Sequence, residues 1–297
     1  MATVRVLCSR MRVEEKQIAQ ALAEHGQVAE PVAPAAMPIP PMPSPIPPAP
    51  AVSGGLASTL VIDRVQERAV GSAMVLGLRS AGMTIVDAGL AATGDRLLVA
   101  SALASAGVAR PETVLAVDDE AAMSAVRGFG YPATLMPLSY DGSPVTLLDV
   151  DTAEAVIEHR LVLGAGIERV SLVQRGSGID AVLVIVVGGI AVAVEGGTRT
   201  GHQAESVTLA EQAAAALGAD VIGVRVATVD GRVVVWDVEA VPDFRHTQPL
   251  NEVTAAEAIA SLVLSAGEQA GVSAFAGHQV RAGRQASEGR HGVVLSA

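Results

Sequence analysis

The chain has 297 residues, half of them apolar and 17% charged, which is enough for one large or two medium folded units and is not the composition of a disordered protein. Its 31 acidic residues against 20 basic ones leave a formal net charge of -11, which repels phosphate backbones and anionic lipid and argues against nucleic-acid and membrane partners. Cys8 is the sole cysteine, so no internal disulfide is possible, and an N-terminus without the layout of a secretory signal makes a reducing cytoplasm the expected location.

In chain order, Thr3 to Cys8 alternates as a short strand, and Glu14 to His25 carries Ile18, Leu22 and alanines at helical spacing. Ten of the 16 prolines then fall between Pro31 and Pro50, a density that forbids regular helix or central strand and predicts an extended loop or linker over 29–50. A strand at Thr59 to Val61, a helix from Gln66 to Ser80 and a strand at Met83 to Val86 complete a small α/β layer with the first two elements. After Gly94 the pattern predicts a helix up to Gly107, a strand at Thr113 to Ala116, a helix over Glu120 to Gly128 and a strand from Tyr131 to Pro137.

A helix over Thr152 to Leu163 precedes strands at Val170 to Gln174, Ala181 to Val187 and Ile190 to Val194. The last two are joined by Gly188-Gly189. The run from Ala181 to Val194 is the longest apolar stretch, and it falls short of the roughly 20 residues a membrane helix needs. A helix at Leu209 to Leu217 follows. Strands at Val221 to Val226 and Val233 to Val238 flank Asp230-Gly231, a strong hairpin signal. A final helix, Ala255 to Ala266, leads into a tail from Gly271.

Several short motifs stand in a definite order: SRMRVEEK at Ser9 to Lys16, GDR at Gly94 to Arg96, FGYP at Phe129 to Pro132 and EHR at Glu158 to Arg160. VVG at Val186 to Gly188, HQAE at His202 to Glu205 and VVVWDVE at Val233 to Glu239 follow. In this succession the chain resembles the RimK/LysX branch of the ATP-grasp ligases. The resemblance implies an α/β (α+β) ATP-grasp fold with a small N-terminal α/β domain at 1–28 and 51–93, a lid subdomain at 94–163, a large subdomain at 164–270 and a tail at 271–297.

Members of that family phosphorylate a carboxylate with ATP and let an amine attack the acyl phosphate. This chemistry requires cations around the phosphates, since charge spreads over the transferring oxygens. Of the 20 basic residues here, 19 are arginine and the only lysine is Lys16. The resemblance assigns Arg96 to a phosphate-binding position, and puts Met136 where relatives carry lysine. Gly142 is the one glycine of Ser139 to Pro144, the counterpart of a glycine-rich loop that lets backbone N–H groups approach phosphate.

Of the three magnesium-ligand positions, Arg225 occupies the first, and Asp237 and Glu239 occupy the others. A spacing of two puts both carboxylates on one strand face, with Trp236 expected on the opposite face. Arg225 is therefore expected to bridge to Asp237, Glu239 or both in place of magnesium. On the substrate side the matching position is Thr200, with Arg199 beside it. No catalytic residue is assigned.

The resemblance thus implies ATP and magnesium as cofactors while altering the residues that hold them. Three readings stay open. The chain is a degenerate ligase homologue serving as a binding or assembly partner, with a protein partner or as a homo-oligomer, in amino-acid or cofactor biosynthesis. It is an active ATP-dependent carboxylate-amine ligase with a rebuilt site. Or it is a nucleotide-independent module that binds a small molecule in the cleft between the subdomains.

Overall fold

The computed structural model describes residues 3–39, 59–163, 169–195 and 203–270. The first unit is a parallel sheet in the order β2-β1-β3-β4, built from β1 (Thr3–Leu7), β2 (Val28–Val32), β3 (Leu60–Asp63) and β4 (Thr84–Val86). Helices α1 (Val13–Glu24) and α2 (Arg68–Ser80) connect its strands. The strand β2 corrects the expected linker over 29–50. Pro31 pairs with Val6 inside it, which the sheet tolerates because β2 is an edge strand.

The lid is a four-stranded antiparallel sheet in the order β5-β8-β6-β7, formed by β5 (Thr113–Ala116), β6 (Ala133–Pro137), β7 (Val145–Leu147) and β8 (Ser171–Arg175). Helices α4 (Asp119–Phe129) and α5 (Val150–Leu163) cover it, with Val126, Leu135, Leu147 and Val173 in its core. Two boundaries shift accordingly. The strand β8, expected in the large subdomain, lies between β5 and β6. Helix α3 (Arg96–Ser105), expected in the lid, buries Val99 and Leu103 in the large subdomain's core. Chain proximity suggested both assignments, and long-range strand pairing and packing overrode them.

The large subdomain is an antiparallel sheet in the order β12-β11-β9-β10-β13. Its strands are β9 (Val182–Val187), β10 (Ile190–Glu195), β11 (Val221–Val229), β12 (Arg232–Glu239) and β13 (Thr247–Pro249). Both hairpins read from the sequence are present, and Gly188, Gly189, Asp230 and Gly231 take the positive φ that tight turns require. Alternating residues of β9 point to two cores: Val184 and Val186 pack under α6 (Gln203–Leu217), while Leu183 and Ile185 pack under α7 (Ala255–Gln269).

The second of these cores also takes in Val4, Val6, Ile18 and Leu22, so the first unit and the large subdomain share one hydrophobic interior. None of the described helices is long and apolar enough to cross a membrane. The tail from Gly271 lies outside the described residues.

Candidate functional site

The lid sheet and the large sheet enclose a cleft of about 680 Å³. Arg96, Tyr140, Arg225, Trp236, Asp237 and Glu239 line it, which brings most of the expected site residues together. Arg96 is positioned by helix α3, whose first turn is capped by Asp95: its carboxylate accepts from the N–H groups of Leu97 (2.7 Å) and Leu98 (3.2 Å). From there the Arg96 side chain runs inward and is 7% exposed.

The Arg96 guanidinium donates in several directions. Nε reaches Asp237 Oδ2 at 3.2 Å, and Nη1 donates to the carbonyls of Pro137 (3.0 Å), Ser139 (2.7 Å) and Gly142 (3.1 Å). Its charge also lies 4.2 Å from the centre of the Tyr140 ring, a cation–π contact. Burial and the neighbouring Asp237 charge push the Tyr140 phenol well above its usual pKa, so it is neutral at physiological pH. Asp237 is 15% exposed, and burial raises its carboxyl even though Arg96 pulls it down.

The second pair lies nearer solvent. Arg225 Nε donates to Glu239 Oε1 at 2.6 Å and its Nη1 lies 3.6 Å from Glu195, with Arg225 and Glu239 exposed to 36% and 28%. Arg225 is directly opposite Asp237 in the β11–β12 register, yet its guanidinium goes to Glu239 and leaves Asp237 to Arg96. Burial raises the Glu239 carboxyl, partly offset by Arg225. Among the described residues, no three His, Cys, Asp or Glu side chains gather as a metal-holding group.

A bulge in β12 corrects the expected position of Trp236. Arg225 pairs with Asp237 and Val226 with Val235, so Trp236 is the extra residue. A bulge suspends strict alternation, and Trp236 lines the same cleft as Asp237 instead of the opposite face. Its indole lies against Gly178, where a Cβ would come within 2.1 Å of Nε1. Only glycine admits that approach.

The loop from Ser139 to Pro144 is tied down at several points. Arg96 N–H donates to Leu138 O at 2.7 Å, and Ser139 bridges to Asp95. The Asp141 carboxylate accepts from the N–H groups of Arg68 (2.6 Å) and Ala69 (2.9 Å), capping α2 in the first unit from the far side of the cleft. Gly142 folds back on Pro137, whose ring would lie 2.8 Å from a Cβ there.

Met136 is buried with Ala100, Leu138 and Leu172 and serves as core. Arg199 lies outside the described residues. Sequence reasoning missed Tyr140 as a stacking partner and Asp141 as a cap. The Asp141 contact was not legible, because its partners are 73 and 72 residues away.

No protein-family model matches the chain. Among solved structures, a RimK-domain ATP-grasp protein from Sphaerobacter thermophilus DSM 20745 superposes with a TM-score of 0.71 at 31% identity, covering 89% of this chain and all of that one. The ATP-grasp ligase PsnB, in complex with precursor peptide PsnA2 and AMPPNP, has a TM-score of 0.62 at 15% identity over 89% of this chain and 98% of that one. An ADP complex of the N5-carboxyaminoimidazole ribonucleotide synthetase purK has a TM-score of 0.62 at 16% identity, covering 88% of this chain and 77% of that one. The fold and the two-sheet cleft are those of an ATP-grasp protein. The chain belongs to the ATP-grasp superfamily and is RimK-like within it.

Proposed function

We propose that this chain is a catalytically degenerate ATP-grasp homologue, which keeps the fold and its cleft for binding or assembly in amino-acid or cofactor biosynthesis. The observation that carries the reading is the internal neutralisation of the site. Asp237 is held by Arg96 at 3.2 Å and Glu239 by Arg225 at 2.6 Å. A magnesium–nucleotide does not fit this set. The hard cation wants several oxygen ligands, whereas a guanidinium already holds each carboxylate of β12. The triphosphate wants free donors, whereas Arg96 gives Nη1 to three backbone carbonyls.

Three further features support the reading. The lysine position holds the buried Met136. The loop expected to cradle phosphate is anchored to the first unit through Asp141. And Tyr140 stacks on the one cation that the family pattern assigns to phosphate.

Calorimetric titration with ATP and magnesium tests the proposal. The expected result is no heat beyond dilution up to about 1 mM nucleotide, a free energy weaker than about -4 kcal/mol. Saturable micromolar binding would overturn the proposal, and ADP release in the presence of an amino-acid pair would establish an active ligase instead.

A further inference from the structure

The two most exposed large apolar side chains among the described residues are Ile179, at 88%, and Leu148, at 68%. Scattered exposed apolar residues need no explanation. These two, however, line the same cleft, one from the connection between β8 and β9 and the other from the segment after β7. Trp236 and Val241 line it as well, and its small polar side chains include Thr146 and Ser177. This part of the cleft is an apolar slot that opens to solvent.

The positive charges around the slot are paired. Arg68 is paired with Asp63 at 2.9 Å, Arg96 with Asp237 at 3.2 Å and Arg225 with Glu239 at 2.6 Å, with Glu195 a further 3.6 Å from Arg225. Each described arginine that lines the cleft thus has a carboxylate partner, and the Arg225 group carries one acidic charge in excess. Among the described residues, a polyanion entering here would meet no arginine without a carboxylate partner, and would give up hydration for little return. An uncharged molecule avoids that cost and gains apolar contact.

We infer that the cleft binds a flat, uncharged ring compound of nucleoside size that lacks phosphate, packed against Trp236 and covered at its rim by Leu148 and Ile179. This inference rests on the reading of the cleft as closed to magnesium–nucleotide, and the test separates the two.

Trp236 is the only tryptophan of the chain, so intrinsic emission from the full-length protein reports on the cleft without a label. Adenosine and ATP with magnesium form a matched pair of probes that differ in charge and share the ring. Adenosine is expected to change the emission saturably, with a Kd on the order of 10–100 µM, and ATP with magnesium to bind at least about tenfold more weakly. Ile179→Glu and Leu148→Glu change exposed positions, and each is expected to weaken the adenosine response about tenfold. Ile190→Glu, the same change at an exposed position outside the cleft, is expected to leave it unaltered.

Absence of a saturable adenosine response up to about 1 mM, or a response indifferent to both rim variants, overturns the inference and leaves the functional proposal standing. Tighter binding of ATP with magnesium than of adenosine overturns both.

Discussion

Two buried arginines, Arg64 and Arg96, each tie one structural unit to another. Arg64 follows β3 in the first unit. Its Nε donates to Glu15 at 2.9 Å, its Nη2 to the Pro242 carbonyl at 3.1 Å, and its charge lies 5.7 Å from the centre of the Phe244 ring. Arg96 joins helix α3, the lid loop and β12 with the same vocabulary of one carboxylate, backbone carbonyls and one aromatic ring.

They differ in how well the carboxylate is served. Glu15 is fully buried. Burial pushes its carboxyl up, but hydrogen bonds from Arg12 together with Arg64 outweigh that and hold it below its usual pKa. Asp237 has less help, and burial wins. The first arrangement is a structural staple that favours the ionised acid. The second is the ion pair of the cleft, in which the acid is held less comfortably. Burial alone therefore does not decide whether an ion pair stabilises; the number of donors aimed at the carboxylate does.

Replacing Arg64 would break the first arrangement most severely. Arg64→Met leaves the fully buried Glu15 to Arg12 alone and cuts the tie to Pro242, and is expected to cost about 3–5 kcal/mol in chemical denaturation. Arg96→Met is expected to cost less, roughly 2–3 kcal/mol, because Asp237 keeps some solvent contact; adding Asp237→Leu should recover most of that loss. If Arg96→Met proves the costlier of the two, the distinction between the staple and the cleft pair fails.

Acid titration sharpens the same contrast. The Glu15 carboxyl is depressed, so its contribution is present above the unfolded value of about 4.3 and is lost as pH falls through its folded value. The Asp237 carboxyl is raised, so its contribution is present below about 3.9 and is lost as pH rises through its folded value. In denaturation series across pH, the advantage of the wild type over Glu15→Gln should shrink on acidification. Asp237→Asn should gain on the wild type as pH rises. The smallest expected effect is that of Asp141→Ala, about 1 kcal/mol for the lost cap of α2, with faster amide exchange in Ser139 to Gly142 as the accompanying sign that the loop is released.

Much of the fold was legible in the sequence, because strands and amphipathic helices are written in local periodicity. The strands at Ala181 to Val187 and Ile190 to Val194 were readable, and the Gly188-Gly189 and Asp230-Gly231 turns marked both hairpins. Three strands were not legible. Val28–Val32 was hidden by the prolines that begin inside it, and Val145–Leu147 and Thr247–Pro249 are too brief to show a period.

The candidate site divided the same way. The resemblance pointed to Arg96, Arg225, Asp237 and Glu239, and these four side chains do line one cleft. Which arginine meets which carboxylate was decided only in three dimensions. Arg96 and Asp237 are 141 residues apart, and their pairing depends on how helix α3 docks against β12. The one-residue bulge at Trp236 also defeated the alternation that would have set it on the far face. Local rules fix the face a residue presents within a regular element. The choice among competing partners of like charge is made by the packing of one element on another, which no local pattern encodes.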